Sequence, residues 1–113
     1  MIPNEQQLKS QTKRKFIERT IASFLDILVM THFQNDSFSG YDAVQFIQAR
    51  FGVLLSSGKV YSTIYAMERK MLVVGSSADG KRIYKITKIG KLTLDTVTAS
   101  DEIEVLMANI MKE

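Results

Sequence analysis

The sequence predicts an α+β chain, mainly α with one small β-hairpin. Apolar residues recur at helical spacing through most of the 113 residues. That period gives way to strand alternation in one short basic stretch, Arg82-Ile83-Tyr84-Lys85-Ile86-Thr87. Just before it, Asp79-Gly80 marks a tight turn.

Residues 1–12 are polar and lack clear periodicity, which suits an N-terminal arm or a helix extension. A basic cluster follows, Lys13-Arg14-Lys15. Ile17, Ile21, Phe24, Leu25, Leu28 and Val29 then predict one helix from Phe16 to about His32 or Phe33. The segment 34–37 reads as a loop. Ser39 is placed to cap the next helix, with Asp42 in its first turn, where a carboxylate suits the helix dipole. Tyr41, Val44, Ile47 and Phe51 are its expected buried side, and Gly52 its stop in left-handed conformation.

Residues 55–72 organise the rest. Ser56-Ser57-Gly58 suits a helix start, and Val60, Ile64, Met67 and Met71 recur at spacings of four, three and four. The other face carries Lys59, Ser62, Thr63, Ala66, Arg69 and Lys70, which are small, hydroxylic or basic. Such a face can approach a phosphate backbone and reach base edges in a major groove. Two short helices joined by a brief turn, the second exposed and basic, describe a helix-turn-helix. Two strands follow, from Leu72-Val73-Val74-Gly75 and from Arg82 to Thr87, with residues 76–81 as the connecting loop. A hairpin in that place is a wing. Thr87 can cap a last helix, in which Gly90 would cost about 1 kcal/mol relative to Ala. Ile103, Leu106, Met107 and Ile110 form an apolar stripe near its end, to be covered by its own domain or, as the complete domain before it favours, by a partner chain. The domain reading is 1–12, the winged part 13–91, and one C-terminal dimerisation helix over 92–113.

The charge is unevenly spread. Residues 59–91 hold eight Lys/Arg against two acids, a local balance of +6, within a chain of net charge +3. Residues 95–113 hold five acids against Lys112 alone, a balance of −4. The first segment suits a polyanion and the tail does not. The absence of cysteine excludes disulfides, thiolate metal sites and a cysteine nucleophile, and fits a reducing, cytoplasmic setting. The opening residues do not read as a signal peptide and the apolar runs are short for a membrane span. The sequence shows no phosphate loop, Ser/His/Asp constellation or metal spacing, so neither enzyme chemistry nor a cofactor is expected. The single histidine, His32, reads as a helix-end residue.

Several segments resemble the PadR-type winged-helix transcriptional regulators. They are Gly40-Tyr41-Asp42, then Leu55-Ser56-Ser57-Gly58-Lys59-Val60-Tyr61, then Met67-Glu68-Arg69, and the block Gly80-Lys81-Arg82-Ile83-Tyr84-Lys85-Ile86-Thr87-Lys88-Ile89-Gly90. The chain departs from the family where Ser57 and Ser62 replace usual prolines, Met71 a usual glycine, and Ala66 a common arginine. The resemblance implies a homodimer of the branch with a single short C-terminal helix, acting on double-stranded DNA and outside the membrane. It also brings in a small aromatic effector at the dimer centre, for which no ligand residues can be named.

The expected DNA-binding residues are Ser57, Lys59, Tyr61, Ser62, Thr63, Lys81 and Arg82. Lys59 stands on the first turn, facing out of the domain. Ser57 serves equally as a cap. Tyr61 matches the family's tyrosine, which implies a phosphate contact, while its own surroundings suit a half-buried ring with a wet hydroxyl. Lys81 and Arg82 lie at the wing, where cations reach a minor groove or phosphates; charged edge strands that resist aggregation look the same. The expected function is a sequence-specific DNA-binding regulator, a repressor acting as a dimer. The acidic tail and apolar stripe also suit a winged-helix module that docks on a protein without binding DNA.

Overall fold

A helical core carries a three-stranded antiparallel sheet at one edge. The computed structural model describes residues 2–112. Its elements are α1 (Glu5–Ser23), α2 (Leu25–His32), β1 (Phe38–Ser39), α3 (Gly40–Phe51), α4 (Ser57–Arg69), β2 (Val73–Ala78), β3 (Lys81–Ile86), α5 (Lys88–Thr98) and α6 (Asp101–Asn109). The sheet order is β1-β3-β2.

Asn4 caps α1 through a capping box with Gln7, and the helix runs through the Lys13-Arg14-Lys15 cluster to Ser23. The expected single helix through residue 33 is interrupted at Phe24. Thr20 and Ser23 donate their hydroxyls to the Phe16 and Arg19 carbonyls just before the break. Back-bonding of this kind bends helices. Helix α2 then buries Leu25, Val29 and Met30.

Ser39 and Asp42 form a reciprocal cap on α3, and Gly52 closes it at φ 64°. Ala43 and Ile47 are its buried residues, with Val44 and Phe51 packed at the core margin. Tyr41, expected inside, is exposed. It lies in the first turn and borders an open hollow beside Tyr61 and Tyr65 of α4. The loop before α3 contains a strand that the sequence did not announce: Phe38 pairs with Tyr84 and Ser39 with Ile83. Phe38 is fully buried, stacked on Phe33 with ring centroids 4.7 Å apart.

Val60, Ile64 and Met67 anchor α4 in the core, whereas Met71 is displaced from that stripe and 61% exposed. The helix ends in a Schellman turn. The Leu72 N–H donates to the Met67 carbonyl at 2.9 Å, and the Met71 N–H to the Glu68 carbonyl at 3.0 Å. Met71 therefore sits at φ 62°, in the left-handed region that favours glycine. The buried Leu72 takes over the packing role expected of Met71.

The hairpin is longer than expected, because β2 continues through Ser76, Ser77 and Ala78. Only Asp79 and Gly80 turn, at φ 51° and 77°, the signs of a type I′ turn. Thr87 caps α5 by accepting the Gly90 N–H. The expected single C-terminal helix is divided into α5 and α6. Thr96 and Thr98 donate to the Leu92 and Leu94 carbonyls, and Ser100 caps a new start by accepting the Ile103 N–H.

Replacing Met71 by glycine removes a left-handed penalty and little packing. Met71→Gly is expected to stabilise the fold by about 1 kcal/mol, raising the thermal midpoint by about 4 °C. An unchanged or lower midpoint in a circular-dichroism melt would show that the turn carries no strain.

Candidate nucleic-acid interface

Helix α4 presents four lengthwise strips to its surroundings. Val60, Ile64 and Met67 face the core. Helical phase then places Gly58, Ser62, Tyr65 and Arg69 on the opposite pole, and all four are exposed. Lys59, Thr63, Ala66 and Lys70 lie on one flank, lining a shallow groove with Ser23 and Asp26 of the α1–α2 corner. Tyr61, Tyr65 and the Glu68 position turn towards the wing on the other flank.

The start of α4 is free for a ligand. Ser56, not Ser57, is the cap, its hydroxyl accepting the Lys59 N–H at 3.1 Å. Ser57 is the first helical residue and is exposed. The amides of Ser57 and Gly58 have no partner within the helix, as helix geometry requires of its first turn. Such amides, with the Lys59 ammonium beside them, attract an anion. Ser62 and Thr63 donate their hydroxyls to the Lys59 carbonyl at 3.0 and 2.9 Å. Each oxygen keeps lone pairs for an outside donor.

Tyr61 has a structural task. Its ring lies over the backbone of the buried Gly40, where a Cβ would stand 2.0 Å from Cε1. This contact lets the start of α3 approach α4 closely. Tyr61 also borders a hollow of about 480 Å³ with Tyr41, Tyr65, Lys81, Arg82 and Tyr84. The expected DNA set is thus divided: Lys59 and Thr63 on one flank of α4, Tyr61 with Lys81 and Arg82 on the other, and Ser62 on the pole between them.

Lys81 is exposed and pairs with Ala78 beside the turn. Arg82 points inward to α4, where its Nη2 donates to Glu68 Oε2. That hydrogen bond and the Glu68 charge hold the Arg82 pKa above its ordinary value. Burial pushes the Tyr84 phenol up, and the neighbouring Arg82 guanidinium opposes the rise.

Tyr41, Tyr65 and Arg69 were absent from the expected site, yet all are exposed on this side or pole. The spacing of Gly58, Ser62, Tyr65 and Arg69 matches that of the core stripe and could have revealed the outward pole. The single histidine has a packing role: His32 stacks on Phe46 at 3.9 Å and meets Phe33 edge-on.

The architecture is that of a winged helix-turn-helix, with α3 and α4 as the helical pair and β2–β3 as the wing. Among solved structures it is similar to a PadR family transcriptional regulator from Eggerthella lenta (18% identity, TM-score 0.73, 94% of this chain and 95% of that one). It is also similar to a PadR-like transcriptional regulator from Bacillus cereus (17% identity, TM-score 0.68, 84% and 98%). A third is Bacillus subtilis PadR in complex with operator DNA (16% identity, TM-score 0.60, 79% of this chain and 59% of that one). The fold is therefore the PadR-type winged helix, as the sequence resemblance implied. No family model and no curated protein matches the chain.

Gly40→Ala is expected to cost about 1–3 kcal/mol, the range for overpacking. Urea unfolding reads the loss, and adding Tyr61→Ala should recover part of it. A midpoint equal to wild type would mean that the ring moves aside freely.

Proposed function

We propose that the protein is a sequence-specific double-stranded DNA-binding transcriptional regulator, a repressor that acts as a homodimer in the cytoplasm. The observation that carries the reading is the outward pole of α4, where small and polar residues stand between a basic flank and a basic wing. Ser57, Lys59, Ser62 and Thr63 supply the contacts at the start of the helix, with Tyr61 at its wing side. Ser62 faces base edges, Lys59 and Lys81 engage phosphates, and Arg82 belongs to the same surface. The likeness to a PadR structure holding operator DNA supports this reading through the fold.

The dimer rests on two helices that their own chain leaves uncovered. Neither α1 nor α6 has a buried residue. Leu8, Phe16 and Ile17 are exposed on α1, and Leu106, Met107 and Ile110 at the other end, with Ile103 half-buried. Helix α1 carries five Lys/Arg against two acids, while α6 carries Asp101, Glu102 and Glu104 and no cation. Opposite charge and apolar surface together suit α6 of one protomer lying on α1 of another. A small aromatic effector belongs to the same reading. The hollow walled by Leu28, His32, Phe46 and Phe51 offers it flat apolar surface.

Duplex selected from a random pool should bind with an affinity that falls steeply with salt, and Lys59→Ala should lower the slope of log K against log[salt] by about 0.9, one phosphate's worth. Binding indifferent to salt would sink the proposal. Light scattering should give twice the 12.8 kDa chain mass, and Leu106→Glu should return it to a monomer. A wild-type monomer that shifts no duplex but captures a protein partner would favour the docking-module reading instead.

A further inference from the structure

Arg82 has surroundings that do not suit a DNA contact. Alternation along β3 turns it to the same side as the buried Tyr84, towards α4. Its Nη2 is bonded to Glu68 Oε2, and its guanidinium carbon lies 5.9 Å from the centroid of the Tyr84 ring. Among the described residues this is the one ion pair that joins two different elements; the other two lie within α1.

The sheet makes room for that pair. Gly75 stands opposite Tyr84 in the β2–β3 register. A Cβ on Gly75 would lie 2.8 Å from Glu68 Oε2 and 2.9 Å from Arg82 Nη2. The missing side chain is a notch in the inner face of the wing, filled by the carboxylate and guanidinium.

A partly exposed ion pair adds little to global stability. Its effect here is geometric. The wing reaches past the core as a two-stranded ribbon, beyond the short β1, and ribbons of this kind twist readily. A charge-assisted bond from the last turns of α4 to Arg82, just past the β1 pairing, fixes one against the other.

We infer that Glu68 and Arg82 form a clamp, seated in the Gly75 notch, that sets the angle of the wing against the recognition helix. Arg82 then serves DNA binding as a positioning residue and leaves the phosphate contact to Lys81. This rests on the DNA-binding reading proposed above. Electrostatics and positioning predict opposite signs for one substitution. If Arg82 were a contact held back by Glu68, Glu68→Gln would release a cation and remove an anion, so binding would tighten and its salt slope steepen. With a clamp, Glu68→Gln loosens the wing and weakens binding.

The full chain is tested as Glu68→Gln, Arg82→Gln and Gly75→Ala, on duplex selected with the wild type. Each is expected to bind roughly tenfold more weakly, and the Glu68→Gln/Arg82→Gln double variant no worse than its weaker parent, as for two members of one contact. Gly75→Ala keeps both charges, so its loss cannot come from net charge. Tighter binding by Glu68→Gln, or wild-type binding by Gly75→Ala, overturns the proposal. A second measurement needs no DNA. The chain has no cysteine of its own, so spin labels at Thr31→Cys and at Ser76→Cys, on the sheet face away from Arg82, report the wing's distance from the core, in protein diluted with unlabelled chain. The distance distribution should broaden in all three variants. A distribution as narrow as wild type overturns the clamp even where duplex binding is lost. Broadening in a chain that binds no duplex supports the clamp and sinks only the regulator reading.

Discussion

The Leu72 carbonyl is where the helical core and the wing are joined. It accepts the Thr87 N–H at 3.0 Å, and the Thr87 hydroxyl lies 3.1 Å away while donating to the Met71 carbonyl. Gly90 presses against the same carbonyl, where a Cβ would come within 2.2 Å. The end of α4, the start of β2, the end of β3 and the first turn of α5 therefore meet around one peptide group. The left-handed Met71 aims that group, and the Schellman turn holds Met71 in place. Gly90, which by helix propensity alone is a defect, is required by this approach. Its cost in α5 is offset by closing the hairpin onto the core.

Much of the fold was legible because it depends on local chemistry. The stripe of Val60, Ile64 and Met67, the Ser39–Asp42 cap, the Gly52 stop and the Asp79-Gly80 turn all act within a few residues of themselves. What the sequence concealed depends on distant partners or on competition within the backbone. Strand β1 is two residues long and exists because Tyr84 and Ile83 present an edge to Phe38 and Ser39. The breaks at Phe24 and before Ser100 fall beside hydroxyls that bond carbonyls of the helix ladder. A helical period continues across such breaks, so periodicity alone does not reveal them. Met71 continued the stripe in sequence but not in space, because the helix had already ended at Lys70.

The candidate site was legible as a region more than as a list of residues. Ser57, Lys59 and Ser62 are exposed on α4, and Thr63 is half-buried on the flank beside Lys59. Tyr61 and Arg82 are also turned to the protein's own needs, one across Gly40 and the other onto Glu68. Neither partnership can be read from spacing, since Tyr61 lies 21 residues beyond Gly40 and Arg82 lies 14 beyond Glu68. Tyr41, exposed beside them, was concealed for a related reason: tyrosine has enough apolar surface to pass for core.

Helices α1 and α6 set a final constraint. A nine-residue helix such as α6 is marginal in water by itself, and helices of that length draw their stability from packing. Residues of α6 meet their own chain mainly near the α5 junction, while Val105, Leu106 and Ile110 remain open. On the homodimer reading, the surface that covers α6 is the basic and apolar face of another α1, so the order of α6 depends on association. The same association would fix the separation of two recognition helices. Two-fold symmetry then favours half-sites about one turn, ~34 Å, apart. The wing is held to α4 by contacts within one chain, at Leu72 and at Glu68. On that same reading, the spacing of half-sites and the reading of each half-site would be governed by separate contacts, one set between chains and one within.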